Sequence, residues 1–395
     1  MIMQGGSKHK ISNTMSIIYF VDNKLGGITS FNYNIISNCP ITDTEQWVIH
    51  IDQKEGKYTR ADMGFPADKE LFFNFSVKDN LFVTIKRLYN LLPPGPGALV
   101  LNNALEMQML DHYPVEKTSY QVVHDDYNFS LAVYYQHIVD VFIAHSRFFY
   151  DKLLAAMPQR AATIFFLPHG VSIPVNHRPQ SESEQSLKLL FLGRMSAQKG
   201  IFDLPVIDNW LDEWKVDHTW TCIGNGPELK TLQDVWKQGK SPVRFLSPPT
   251  NEEVMDICAQ QDVFVLPTQF EGSPVSLLET MSAGLVPVIT DLPGGIREIV
   301  QQNIGSRIEQ GNVKGFATAI YELANNRQLL NQRSIACRDK IIKEFNVRDT
   351  AARYHELFAR QREFYKPKQL KKIKIGSRLD QPWMPSLLTQ IIRGI

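Results

Sequence analysis

Short apolar runs rich in β-branched and aromatic residues alternate along most of this chain with segments of helical period. In the first half, the runs that predict strands are residues 17–21, 47–51, 98–101, 120–123, 141–144 and 163–167. Regular alternation of strands and helices is typical of parallel sheets that are covered by helices on both faces. The predicted fold class is therefore α/β.

A second series of the same kind follows, with apolar runs at residues 187–192, 219–223, 243–246, 262–266 and 286–290. Residues 175–186, between the two series, contain almost no apolar side chain, as expected of a linker. We therefore expect two Rossmann-like, doubly wound parallel-sheet domains, residues 15–180 and 181–345. Residues 1–14 are interpreted as a flexible extension, and residues 346–395 as a helix and basic tail that cross back to the first domain.

The composition limits the classes of partner. A length of 395 residues, 43% hydrophobic and 21% charged, is enough for two buried cores. Lys and Arg number 42 and Asp and Glu number 41, so the net charge is +1. Such a balance produces no long-range field that would draw the whole chain to nucleic acid or to an acidic membrane. An anionic ligand must therefore be held by local groups.

The cysteines and the apolar segments indicate a compartment. Four cysteines are far apart and lack the paired spacing of metal ligands: Cys39, Cys222, Cys258 and Cys337. Separated thiols of this kind are typical of a reducing compartment. The N-terminus lacks the apolar run of a signal peptide, and no later segment approaches the roughly 20 apolar residues of a membrane span. The sequence predicts a cytoplasmic protein.

The most informative segment is residues 262–284, where a strand pattern leads into a short loop and then into a helix. Ser273 is a favoured N-cap residue and Pro274 a favoured first helical residue, while Gly284 is placed to end the helix. The helix N-terminus is thus expected at the carboxyl edge of the sheet, where unpaired N–H groups and the helix dipole favour anions. A diphosphate would fit there.

Two glutamates flank this helix N-terminus. Glu271 lies in the loop and Glu279 in the helix, and an ionised carboxylate can accept hydrogen bonds from a pair of hydroxyls. The spacing E-GSPVSLL-E resembles the large group of retaining GT-B glycosyltransferases called family four, or glycosyl transferases group 1. The resemblance implies that Glu279 binds the ribose of a sugar nucleotide and that Glu271 contacts the transferred sugar. It also implies that the backbone of Gly272, Ser273 and Pro274 faces the sugar and the diphosphate.

A second motif agrees with this resemblance. The strand pattern LKLLFL is followed by Gly193, Arg194, Lys199 and Gly200, similar to the family signature G-R-x-x-x-x-K-G. Two fixed cations beside a departing diphosphate would stabilise the charge that develops as the glycosidic bond breaks. That arrangement makes a metal ion unnecessary. We therefore expect neither a metal nor a cofactor, and a sugar nucleotide as the donor substrate.

Glycine turns supply weaker support. Gly224 and Gly226 resemble the family turn G-x-G-P near the nucleotide base, although a purely structural turn explains them as well. Gly26 and Gly27 separate the first strand from a helix, where a missing side chain lets the backbone approach a phosphate or an acceptor. All four are predicted donor-side contacts.

A histidine, a glycine loop and two departures complete the resemblance. His124 ends the strand pattern YQVV and resembles the family histidine that faces the donor sugar across the cleft, with a structural role as the alternative. Gly294 and Gly295 resemble a family loop that borders the cleft. The family commonly has Gly where this chain has residues 247–249, Ser-Pro-Pro, and commonly Asn where it has His169. The first departure bears on base recognition and the second on a turn at the domain junction.

The resemblance implies a GT-B enzyme with the donor in the second domain and the acceptor, a saccharide or a lipid-linked molecule, in the first. Closure of the cleft would exclude water, and the leaving diphosphate would take the acceptor proton, with retention of anomeric configuration. A role in cell-surface polysaccharide synthesis is expected. Two alternatives stay open: a GT-B sugar synthase or phosphorylase, and a non-catalytic sugar-nucleotide-binding partner.

The C-terminal tail has its own composition. Six basic residues lie together without an acid: Lys366, Lys368, Lys371, Lys372, Lys374 and Arg378. With Trp383 and the apolar residues after it, such a tail could contact the inner membrane face peripherally. The alternative is a solvated tail or one that crosses between domains.

Overall fold

Two parallel β-sheets organise the chain in the computed structural model, which describes residues 15–24, 26–56, 64–179, 186–237, 241–247, 250–272 and 274–394. The first sheet has the order β3-β2-β1-β4-β5-β6-β7 and the second β10-β9-β8-β11-β12-β13. The strands are β1 Met15–Asp22, β2 Thr44–Gln53, β3 Lys69–Phe75, β4 Gly97–Leu101, β5 Thr118–Val123, β6 Val141–Ala144, β7 Ile164–Phe166, β8 Leu187–Leu192, β9 His218–Ile223, β10 Val243–Leu246, β11 Val263–Leu266, β12 Val286–Thr290 and β13 Ser306–Ile308.

Helices connect the strands and cover the sheets. They are α1 Gly27–Ser37, α2 Leu81–Tyr89, α3 Ala104–His112, α4 Asp126–Tyr134, α5 Arg147–Ala156, α6 Leu204–Glu213, α7 Leu229–Trp236, α8 Asn251–Cys258, α9 Val275–Ser282, α10 Gly295–Ile299, α11 Val313–Asn325, α12 Arg327–Glu344, α13 Val347–Ala359, α14 Gln361–Phe364 and α15 Ser386–Gly394. Many begin at a capping side chain: Asn80, Asp125, Ser146 and Thr250 each accept a hydrogen bond from a first-turn N–H group. The order of elements confirms the predicted α/β class and the two-domain GT-B fold.

Alternate residues of β1 enter two separate cores. Ile18 and Phe20 pack into the core on one face of the first sheet, whereas Ile17 and Tyr19 pack into the core on the other face. A parallel strand that is buried on both faces has a continuous apolar sequence, and this is why residues 17–21 could be predicted as a strand.

The sequence missed two strands, and both lie at sheet edges. The segment β3 mixes Lys69 and Glu70 with exposed positions such as Phe72, and β13 is only three residues long. Neither contains the uninterrupted apolar run on which the prediction depended. Edge strands have one neighbour and often one exposed side, so their pattern carries a weaker signal.

The chain crosses between the domains at one paired point. The N–H group of Val171 donates to the carbonyl of Phe345 over 2.8 Å, and Val347 donates back to Val171 over 3.1 Å. After this return, α13 packs against the first sheet through Tyr354 and Phe358. The helix predicted at the start of residues 346–395 is divided at Arg360 into α13 and α14.

The predicted boundary between residues 180 and 181 lies outside the described residues and stays a prediction. So does the extension of residues 1–14. In the part of the chain that the structure describes, no helix combines the length and the apolar character needed to cross a bilayer.

Candidate active site

The helix α9 begins one residue later than expected. Pro274 is its N-cap, with φ −68° and ψ 118°, and Val275 is the first helical residue. The expectation that Pro274 opens the helix was therefore wrong, because its extended ψ keeps it outside the first turn. Ser273 lies outside the described residues. Gly284 follows the helix end at φ +91°, and the N–H of the next residue, Leu285, donates to the carbonyl of Thr280 over 3.0 Å, as predicted for a C-terminal glycine.

Two helix N-termini meet at the cleft. The helix α1 begins at Gly27 with Gly26 as its N-cap, and neither α1 nor α9 receives a side-chain cap from the described residues. A Cβ placed on Gly27 would lie 3.4 Å from Cγ2 of Val275, so the two helices begin in contact across the domain interface. Their free N–H groups and dipoles converge on one place, which therefore favours an anion.

Lys199 and Glu271, predicted from separate motifs, lie together. The Nζ of Lys199 donates to Oε1 of Glu271 in a partly buried ion pair. Gly200, at φ +68°, turns the chain after Lys199 in a position where any Cβ would overlap the carbonyl oxygen of Pro267. This close approach places the loop after β8 against the loop after β11. A cation and a carboxylate are thereby held side by side at the carboxyl edge of the second sheet.

The glycines near Arg194 are explained by backbone packing. A Cβ on Gly224 would overlap the carbonyl oxygen of Gly193, and one on Gly226 would overlap that of Met195. The loops after β8 and β9 thus lie backbone against backbone, and packing accounts for the two turn glycines without a nucleotide contact. Arg194 itself is exposed and has no ion-pair partner among the described residues.

The carboxyl group of Glu279 lies partly buried in α9. Burial raises its pKa to about 7, and a hydrogen bond from the side chain of Asn251 opposes that rise. The group therefore changes its protonation close to neutral pH. Hydroxyl ligands that donate to its ionised form would lower this pKa again.

His124 reaches the second domain through its backbone. Its carbonyl oxygen would be overlapped by a Cβ on Gly272, so only glycine fits there. The carbonyl of Gly272 in turn accepts from the N–H of Gly295 over 3.2 Å. The imidazole points inward, with Nε2 2.9 Å from Oδ1 of Asn102. The turn of His124 and the glycine loops predicted to border the cleft are thus in direct contact.

The structure adds two histidines that the sequence reading did not select for the site. His145 and His169 join His124 around the ring of Phe31, with ring centroids 3.6 Å apart for His145 and His169 and 4.7 Å for His124 and His145. Each histidine directly follows, or lies within a few residues of, the end of β5, β6 or β7, which are neighbours in the first sheet. That recurrence after successive strands was a signal in the sequence.

These three rings have the spacing of metal ligands but not the orientation. Their ligand atoms lie within 4.8 Å of one another. However, the rings of His145 and His169 are stacked at 21° with centroids 3.6 Å apart, so their lone pairs lie in separate, nearly parallel planes, and one ion cannot lie in the plane of both rings. Burial lowers the pKa of all three imidazoles, that of His145 to about 3. The geometry suits a neutral aromatic cluster.

A further interdomain contact comes from Glu298. Its carboxylate accepts from the backbone N–H groups of Arg147 over 2.9 Å and Phe148 over 2.8 Å, at the N-terminus of α5. A carboxylate from the second domain therefore caps a helix of the first. The sequence predicted only that the neighbouring loop of Gly294 and Gly295 borders the cleft.

Comparison with known proteins finds a family that the second domain resembles. The profile of a family described as Glycosyl transferases group 1 matches residues 186–326. This part of the chain is similar to that family, and we call it the glycosyltransferase domain. The glycosyltransferase domain contains Arg194, Lys199, Glu271 and Glu279, and the predicted resemblance to the family-four type is confirmed.

The relatives of this glycosyltransferase domain carry different activities in their names. UDP-Gal:alpha-D-GlcNAc-diphosphoundecaprenol alpha-1,3-galactosyltransferase of Escherichia coli is 26% identical over 197 residues, which are 47% of this chain and 51% of that protein. N-acetyl-alpha-D-glucosaminyl L-malate synthase of Bacillus anthracis is 26% identical over 145 residues, 36% of this chain and 38% of that protein. The chain thus aligns with about half or less of the length of these curated relatives.

Solved structures extend the likeness to both domains. Anabaena HepE, determined in complex with UDP-glucose, superposes with a TM-score of 0.69 at 16% identity, covering 87% of this chain and 99% of that chain. Agreement over nearly the whole length shows that the first domain and the glycosyltransferase domain are arranged as in a GT-B protein.

Proposed function

We propose that this protein transfers a sugar from a nucleoside diphosphate sugar to a saccharide or lipid-linked acceptor, with retention of anomeric configuration and without a metal ion. The observation that carries the proposal is the meeting, at Gly27 and Val275, of two helix N-termini that receive no side-chain cap from the residues that the structure describes. Free N–H groups and the positive ends of two helix dipoles form a site for a diphosphate between the domains. Acceptor binding belongs to the first domain in this proposal.

The charged residues have separate tasks. Glu279 holds the ribose hydroxyls, and Glu271 orients the hydroxyls of the transferred sugar. Lys199, which contacts Glu271, and the exposed Arg194 stabilise the diphosphate as negative charge develops on it. An oxygen of the leaving phosphate then accepts the proton of the acceptor hydroxyl. His124 contributes through its turn, which seats Gly272 and the loop that bears Glu271.

The donor is the first substrate to identify. The name of the Escherichia coli relative specifies a UDP-sugar donor and a diphosphoundecaprenol-linked acceptor, and HepE was crystallised with UDP-glucose. We therefore take a uridine diphosphate sugar as the leading donor class, with GDP and ADP sugars as the comparison.

Nucleoside diphosphates should raise the melting temperature of the protein. A ligand at about a hundred times its Kd stabilises the folded state by about 2.7 kcal/mol, a shift of roughly 5 °C for a domain of this size. Differential scanning fluorimetry with UDP, GDP and ADP would measure this. Absence of any shift would contradict the donor site, whereas a shift without nucleotide release in the presence of acceptors would favour the non-catalytic binding partner.

Donor affinity should depend on pH through Glu279. Its carboxyl group titrates at about 7 in the free protein, and ribose hydroxyls donate to the ionised form. Affinity should therefore fall below pH 7, by up to about tenfold per pH unit, and level off above it. Glu279→Gln should bind more weakly above pH 7 and show a flat profile. Isothermal titration calorimetry with UDP-glucose, whose phosphates have no proton that titrates near neutral pH, decides; an equally steep profile in the variant would exclude Glu279.

A further inference from the structure

The C-terminal tail lies on the first domain and ends in an amphipathic helix. After α14, the backbone N–H groups of Lys371 and Ile373 donate to the carboxylate of Asp111 at the end of α3, over 3.1 and 2.6 Å. Ile375 is buried in the first core. The tail then reaches the N-terminus of α2, where the N–H of Leu81 donates to Asp380 over 2.8 Å. It is therefore an ordered part of the fold.

The helix α15 is held through its polar side. The amide of Asn80 donates to the carbonyls of Gln381 and Met384, each over 2.9 Å. Within α15, Gln390 contacts the carboxylate of Asp79, and Arg393 donates to the carbonyl of the same residue. Because the polar side chains face the protein, the apolar side chains of the helix face outward.

The outward face is large and apolar. Its exposed fractions are 74% for Trp383, 67% for Leu387, 50% for Leu388, 52% for Ile391 and 49% for Ile392. Contiguous exposed apolar side chains of this size mark an interaction surface on a protein. We call these five residues the α15 face.

Two cations lie close to α15. Nζ of Lys78 lies beside Gly394 at the end of the helix, and the exposed Arg378 follows Ser377, whose hydroxyl accepts from Arg393 of α15. Lys371, Lys372 and Lys374 are also exposed, but Lys371 is bonded to the end of α3, at the opposite edge of the first sheet from α15. Asp380 is the acidic residue within residues 365–394. Its carboxylate pairs with Arg393 and accepts hydrogen bonds from backbone N–H groups. Glu55 is the exposed acid nearby and bonds to Ser76 and Val77. Not all of the predicted basic tail is available, because Lys368 is turned inward onto Asp140.

The position of the face relates it to the cleft. The helix α15 packs on the loop between β3 and α2, at the carboxyl edge of the first sheet. Gly26 and His124 follow strands at the same edge. A partner surface that contacts the α15 face would therefore lie on the side of the first domain from which the cleft is entered.

We propose that the α15 face is a docking surface for an anionic lipid bilayer. Leucine and isoleucine side chains enter the boundary between headgroups and acyl chains, Trp383 lies at that boundary, and the bordering cations bind the headgroups. A second copy of this chain fits less well, because it would bring the same cations against each other. The proposal does not depend on the transferase activity.

Vesicle binding tests it on the full-length protein. The protein should co-sediment with vesicles of phosphatidylglycerol and phosphatidylcholine, and much less with phosphatidylcholine alone. Leu387→Ser combined with Ile391→Ser should weaken binding at least tenfold. Lys78→Gln and Arg378→Gln together should weaken it about 25-fold, since each cation contributes about fivefold. Brominated lipid should quench tryptophan fluorescence, and Trp383→Phe should remove most of that quenching.

The matched control is Ile335→Ser with Ile342→Ser, two exposed isoleucines on α12 of the second domain. It should bind vesicles as the unchanged protein does, and circular dichroism should show that every variant is folded. Equal vesicle binding by the α15 variant and the control would overturn the proposal. So would a concentration-dependent dimer that only the α15 variant loses, with no vesicle binding, since the face would then belong to a second copy.

Discussion

Replacing Lys199 with alanine should lower the rate of sugar transfer by about a thousandfold while the protein stays folded. A preorganised cation that stabilises developing charge is worth roughly 10²–10³ in kcat, and the loss of pairing with Glu271 adds to it. The side chain of Glu271 is only 10% exposed, so the loss of its partner should lower the free energy of unfolding by about 1–3 kcal/mol, and the melting temperature of the variant is measured alongside its rate. Release of nucleoside diphosphate at saturating donor and acceptor measures the rate.

The control for Lys199→Ala is Lys230→Ala, which removes a lysine from α7 whose side chain is 75% exposed. Its rate should match that of the unchanged protein. A fall in kcat with little change in KM would place the contact of Lys199 in the transition state. If Lys199→Ala turned over as fast as Lys230→Ala, the leaving-group role would be wrong.

Mild acid should destabilise the protein through the three buried histidines. Burial lowers the pKa of His124, His145 and His169 in the folded state, whereas an imidazole in the unfolded chain titrates near 6.5. Below that pH the unfolded chain binds protons that the folded cluster excludes, so stability falls as pH falls. The three groups together contribute up to about 4 kcal/mol per pH unit below about pH 6.

Other groups change the stability with pH in the opposite direction, so variants are compared to isolate the contribution of the histidines. Glu106 and Glu279 have raised pKa values, and the stability they contribute grows as pH falls. His169→Asn should reduce the pH slope of the free energy of unfolding by about 1.4 kcal/mol per pH unit, measured by urea unfolding between about pH 7 and pH 5. His177→Asn changes an exposed imidazole and should leave the slope unaltered. Identical slopes in the two variants would contradict the assignment.

Much of the fold could be predicted because the sequence patterns that indicate strands and helix ends are local. Buried parallel strands appear as apolar runs, so the central strands of both sheets were predicted, and Gly284 ended α9 as its position indicated. Edge strands β3 and β13 were missed because a half-exposed or very short strand does not show that run. The start of α9 was misplaced by one residue, since whether Pro274 enters the helix depends on ψ at that residue and not on its type.

The residues of the candidate site could be predicted from the sequence, but their arrangement in space could not. Lys199 and Glu271 are 72 residues apart in the chain and meet because β8 and β11 are adjacent in the second sheet, which no local pattern reveals. The histidine cluster forms for the same reason from the neighbouring ends of β5, β6 and β7.

The sequence alone therefore determined most of the segments that become strands and helices, the edge strands β3 and β13 excepted, because periodicity and turn chemistry act over a few residues. Only the tertiary structure decided which loops meet at the carboxyl edges, where Gly27 contacts Val275, and which side of α15 faces water. Those outcomes depend on strand order and on the docking of two domains, where the free energy comes from contacts between residues far apart in the chain.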